Sequence, residues 1–270
     1  MISRYVLPQT SFEKSASIAE VGALGIYSSG TTVSIKKLLW QTLQENKWFM
    51  IGYYLVLLAG IYPLWRWNKV GVFLYINQYH HPLLDACLYY WTHWGSGITY
   101  LLLLCLLYLC GLPCRKFFVG LMSFGTMSVI VQTLKRVIFT EQHRPFKILS
   151  DAGKVASLHL VDKVEVLSDL SFPSGHAATI FTAACVLQLI STRKHLWYSI
   201  SLLVIAISTA YSRVYLCQHF YTDIYAGAWI GGTAAWIGYV ILCKYESSPH
   251  GRWLSSLYPK IDTLKQNIKL

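Results

Sequence analysis

Apolar residues fall along this chain in long runs, not in the short periodic stripes of a soluble fold. From Trp48 to Cys243 these runs are rich in Leu, Ile and aromatic residues and are separated by brief polar breaks. A membrane-spanning helix needs about 20 mostly apolar residues. The pattern predicts six of them, at roughly 48–67, 98–112, 117–139, 175–190, 197–211 and 221–243. Several are short or polar at one end, as expected where helix ends line a site. The stretch 72–94 mixes Asp85 and three histidines with aromatic residues and reads as interfacial. Ahead of the first span, 34–47 sets Leu38, Leu39 and Leu43 against Lys36, Lys37 and Glu45, the pattern of an amphipathic helix lying on a membrane surface. Residues 1–33 are polar and lack the basic-then-apolar order of a cleavable signal, and are expected to be loosely ordered.

Composition agrees with an integral membrane protein. Hydrophobic residues make up 54% of the 270 and charged residues only 13%, about half the charged share of soluble domains. Mean hydropathy is +0.42. These values exclude disorder and disulfide-scaffold classes. The seven cysteines lie mostly within apolar runs and read as small hydrophobes. The net charge of +11 is scattered among hydrophobic segments, with no basic module for nucleic acid. Short turns at Arg115–Lys116 and Arg193–Lys194 orient the helices, because short basic loops stay cytoplasmic. The expected organisation is a cytoplasmic tail with the interfacial helix over 1–46, an all-α six-helix membrane domain over 47–243 and a cytoplasmic tail over 244–270. Loop 140–172 then faces the non-cytoplasmic side.

Ionisable groups at membrane depth are costly and mark function. Here they gather at one end of the predicted helices. Lys135 and Arg136 end the third, and Arg144-Pro145 comes next, in the loop. Pro173-Ser174-Gly175-His176 opens the fourth, Ser212-Arg213 closes the fifth, and His219 and Asp223 open the sixth. Several cations without matching carboxylates call for an anion with many oxygens, and phosphate fits best. Ser174 and Gly175 at a helix start add backbone N–H donors and the positive end of the helix dipole. His219 and Asp223 stand four residues apart, so on a helix they share a face. Such a carboxylate fixes the imidazole tautomer and prepares the other ring nitrogen to attack phosphorus. His176 is then free to protonate the leaving oxygen.

These residues resemble the signature of the type 2 phosphatidic acid phosphatase superfamily, which also includes glucose-6-phosphatase and the vanadium haloperoxidases. That signature has three parts: K-x6-RP, PSGH and SR-x5-H-x3-D. The second is matched in full by Pro173-Ser174-Gly175-His176, and the third by Ser212-Arg213, His219 and Asp223. In the first, eight residues separate Lys135 from Arg144-Pro145, and Val137 stands at the usual lysine position. Either the loop is two residues longer or Arg136 shares the role.

The resemblance implies a six-helix phosphatase that works without a metal or other cofactor, through a phosphohistidine. His219 would be the nucleophile, Asp223 its partner and His176 the general acid. Lys135, Arg144, Arg213, Ser174 and Gly175 would hold the phosphoryl group. Placement at headgroup depth points to a phosphorylated lipid: phosphatidic acid, phosphatidylglycerophosphate, undecaprenyl diphosphate or a lipid A phosphate. Membrane lipids are the other expected partner. The rival readings are a sugar phosphatase or phosphotransferase with the same site, and a silent phospholipid carrier. The remaining histidines, His80, His81, His93, His143, His159 and His195, read as packing, interfacial or surface residues.

Overall fold

The computed structural model describes residues 35–192 and 194–246. The readings made for residues 1–34, for Arg193 and for the tail beyond 246 lie outside the described residues. The described residues form ten α-helices, in order: α1 Ile35–Glu45, α2 Lys47–Arg66, α3 Lys69–Asn77, α4 Pro82–Trp91, α5 Gly97–Leu109, α6 Cys114–Thr133, α7 Pro145–Asp151, α8 Gly175–Ile190, α9 Leu196–Tyr215 and α10 Tyr221–Glu246. Among the described residues no strand occurs. Helix starts obey local chemistry. Asn68 caps α3 by accepting from Gly71, Ser96 caps α5 and Ser174 caps α8, each meeting an N–H that the helix leaves unpaired.

Among the described residues three helices are long and apolar enough to cross a membrane: Lys47–Arg66, Cys114–Ile138 and Tyr221–Tyr245. A fourth span is made if Pro82–Gly95 and Gly97–Leu109, bent by 65° at their junction, are taken together. The segment expected to be interfacial is therefore partly continuous with the second predicted span. The helix Gly175–Ile190 is apolar but short. α9 has the length, but Ser199, Ser201, Ser208, Thr209, Ser212 and Arg213 lower its hydropathy. Large apolar side chains such as Leu58, Trp65, Ile98 and Val129 are more than half exposed, as a lipid-facing surface requires. The described residues are all-helical, and the chain is an integral membrane protein.

Hydrophobic collapse does not drive helices together in lipid, so close backbone approach and hydroxyl bonds do that work. α8 is the buried centre, small and apolar along most of its length, and it packs against α6, α9 and α10. A Cβ on Gly227 would lie 2.6 Å from the Ser174 carbonyl, and one on Gly231 would strike the Ala178 carbonyl. These two glycines, one turn apart, let α10 lie directly on α8. Hydroxyls then stitch the helices: Thr182 Oγ1 donates to Gly231 O (3.1 Å), Ser123 Oγ to Ala235 O (3.1 Å) and Tyr53 OH to Ala228 O (3.0 Å). The result holds the start of α8 against the start of α10, where the ionisable residues gather.

Candidate active site

The third motif folds around a tight turn. After α9 ends at Tyr215, Cys217 takes a left-handed conformation (φ 57°). The chain reverses so that Gln218 N–H and His219 N–H both donate to Arg213 O, at 2.9 and 3.1 Å. His219 therefore sits beside Arg213, two residues before α10 begins. The sequence pattern placed His219 and Asp223 on one helical face. Instead they meet across the helix start, with Nδ1 and Oδ2 3.5 Å apart. Asp223 Oδ2 also accepts from Phe220 N–H at 3.0 Å and from the Ser171 hydroxyl. Reaching back to the residue before the helix is the geometry of a capping box. It fixes the carboxylate behind the imidazole.

On its other side the ring faces cations. Arg144 Nη1 lies 3.5 Å from His219 Nε2. A guanidinium can only donate, so the nitrogen facing it carries the lone pair and the proton belongs on Nδ1, which faces Asp223 at 3.5 Å without closing a hydrogen bond. His219 is 2% exposed. Its pKa is pushed from 6.5 to about 3, by burial first and by Arg144 and Arg213, against the opposing pull of Asp223. The ring is neutral at physiological pH. Burial also lowers the Arg144 pKa, while Asp223 and Asp169 act to raise it.

A short run of loop backbone sets the cations. Ser168 O accepts from Arg144 N–H (2.7 Å), Asp169 O from Arg144 Nε (2.9 Å) and Leu170 O from Lys135 Nζ (2.7 Å). Lys135 lies in a π-turn, Leu134–Ile138, that continues α6. Such a turn holds an extra residue, and it falls where the first motif runs two residues longer than usual. Arg136 is bonded to Gln132 of its own helix (3.0 Å) and is exposed. Arg213 Nη1 donates to Thr92 Oγ1 (2.8 Å), while Arg213 Nε is buried without a partner among the described residues. An orphaned buried donor on a cation needs an explanation, and an anion supplies one.

Ser174 N–H donates to Asp223 O at 3.0 Å, tying the second motif to the third. Gly175 and His176 open α8, where the first N–H groups have no intrahelical acceptor. His176 stands in the first turn of α8. Gly95 lies against it: a Cβ there would stand 2.9 Å from the His176 carbonyl. The sequence pattern assigned Gly95 nothing; its role is close approach. A cavity of about 580 Å³ opens beside the cations, lined by Lys135, Arg136 and Arg144 and by the loop from Val166 to Leu170. His176 and His219 do not line this cavity.

The structure thus brings His219, Asp223, Arg144 and Arg213 into one cluster, sets Lys135 at its rim and places the start of α8 beside it. Sequence reasoning missed Gln218, Ser171, Thr92 and the acceptor carbonyls of 165–170. Gln218 alone left a signal, one position before His219. Loop carbonyls carry none.

Comparison with known proteins identifies the family. Residues 115–245 match the PAP2 superfamily. The chain is 40% identical over 73 residues to a lipid A 4'-phosphatase of Bacteroides thetaiotaomicron, a match spanning 27% of this chain and 32% of that protein. It is 25% identical over 206 residues to an undecaprenyl-diphosphatase of Sulfolobus acidocaldarius, spanning 75% of this chain and 92% of that one. The crystal structure of Aquifex aeolicus LpxE superposes with a TM-score of 0.53 at 32% identity, covering 62% of this chain and 92% of that one. With two motifs matched in full, a family model over residues 115–245 and a solved relative at 32% identity matched over 92% of its length, the chain belongs to the PAP2 superfamily.

Proposed function

We propose that this protein is a membrane phosphatase that removes phosphate from a phosphorylated lipid by way of a phosphohistidine on His219. The observation that carries the reading is the two-sided environment of that ring, with Asp223 behind Nδ1 and Arg144 in front of Nε2. Nε2 attacks phosphorus, forming an N–P bond as the bond to the lipid oxygen breaks. His176 gives that oxygen its proton. Arg144, Arg213, Lys135 and the Ser174–Gly175 segment hold the phosphoryl oxygens, whose charge grows in the transition state. Water then attacks phosphorus, His176 takes its proton, and phosphate leaves as Nε2 is restored.

Lys135 fills the first-motif role in this reading, because it bonds Leu170 O in the same loop that holds Arg144, while Arg136 stays on its own helix. The six-helix arrangement, with both termini cytoplasmic and the site on the non-cytoplasmic face, takes α8 and α9 as spans beside the longer helices. Basic turns on the opposite side support that orientation. The substrate class rests on the membrane setting and on relatives named for lipid A and undecaprenyl diphosphate. Rapid quenching during turnover of a labelled lipid phosphate should capture an acid-labile, base-stable phosphoprotein that maps to His219. Steady turnover with no label on the protein, or with label elsewhere, contradicts the mechanism.

A further inference from the structure

Gln218 lies between the two arginines of the site and has no role in the chemistry above. Its side-chain oxygen accepts from Arg144 Nη1 (3.3 Å) and from Arg213 Nη2 (3.4 Å). Its main-chain carbonyl takes Arg144 Nη1 again, at 2.9 Å. Its amide nitrogen donates to Glu165 O (2.8 Å) and approaches Leu216 O (3.5 Å). The residue is 3% exposed. Carbonyls on one side and guanidiniums on the other fix which way the amide points, since each end meets only the opposite kind of partner.

Two guanidiniums brought together out of water repel strongly. Something between them must accept from both or they will splay apart. A carboxylate would do so, but it would cancel a positive charge that the phosphate needs. A neutral amide bridges them and leaves both charges for the anion. The left-handed turn at Cys217 is what delivers the Gln218 carbonyl to Arg144 as well. The bond to Glu165 then ties this bridge to the loop whose next residues hold Arg144 and Lys135.

We infer that Gln218 is a positioning residue: a neutral bridge that sets the Arg144–Arg213 pair at the spacing that receives a phosphoryl group. This rests on the reading of the site as a phosphate site. The test is orthovanadate binding by the purified full chain in detergent, measured by calorimetry, with melting temperature recorded for each variant. Gln218→Met removes the amide at nearly constant volume, and Gln218→Glu keeps acceptor oxygens but adds a charge. Both should weaken vanadate binding, by about 10-fold or more, and Gln218→Glu should be the weaker of the two. A residue that only packed the loop would lower the melting temperature without that order. If Gln218→Glu fails to fold, Gln218→Met still decides. Folded variants that bind within about twofold of wild type overturn the inference. A wild-type protein that does not bind vanadate at all overturns the phosphate-site reading, and the inference with it.

Discussion

At the scale of single residues, the proposed function rests on a neutral imidazole held between a carboxylate and a guanidinium. Replacing His219 by Ala should lower phosphate release by about 10³-fold or more, while vanadate still binds because the cations remain. Asp223→Asn keeps the shape but loses the charge that orients the ring, and should slow turnover by about 10²- to 10⁴-fold. Phosphate release and vanadate calorimetry check both variants. The pH dependence of stability has a definite sign. The His219 pKa falls from 6.5 to about 3 on folding, so below pH 6.5 the unfolded chain takes up a proton that the folded one refuses. This contribution is fully present above pH 6.5 and is lost as pH falls toward 3. Melting temperature in detergent should drop across that window, and His219→Asn should drop less steeply. Equal slopes would show that His219 is not buried and neutral.

At the scale of elements, the starts of two helices make the site, and their approach depends on glycine. Gly231→Val places a branched side chain against the Ala178 carbonyl, where even a Cβ does not fit. It should destabilise the bundle by roughly 1–3 kcal/mol or more and lower activity through the displaced α8 start. Differential scanning of the two proteins measures the first effect, and phosphate release the second. The second and third motifs were legible in the sequence because Pro173-Ser174-Gly175-His176 and the run from Ser212 to Asp223 carry their chemistry in side chains at set spacing. Two things were not. The His219–Asp223 spacing suggested one helical face, yet a left-handed Cys217 moves His219 off the helix. The carbonyls of 168–170 anchor Arg144 and Lys135 through backbone alone, and no side chain at those positions announces it.

At the scale of the molecule, composition decides the solvent, and the arrangement of polar helix ends carries the proposed function. The apolar runs over 48–67 and 221–243 reappear as spans within a residue or two at their starts. The run over 98–112 becomes half of a bent pair, because the apolar part of 82–91 joins it at a sharp angle. Helices such as α8 and α9 are hard to count from hydropathy: α8 is short and buried among its neighbours, and the hydroxyls and Arg213 of α9 lower its hydropathy although Trp197 and Val204 are exposed. Activity without a metal is expected for the whole protein: turnover should survive EDTA, and a strict requirement for added divalent cation would contradict the phosphohistidine chemistry. Catalysis through His219 is tested by inorganic phosphate release in detergent with EDTA, over a panel of lipid phosphates and glucose 6-phosphate, for wild type beside His219→Ala. The expected result is release from a lipid phosphate by the wild type alone. Release undiminished in His219→Ala, or none from any substrate by a wild type that binds vanadate, would contradict it.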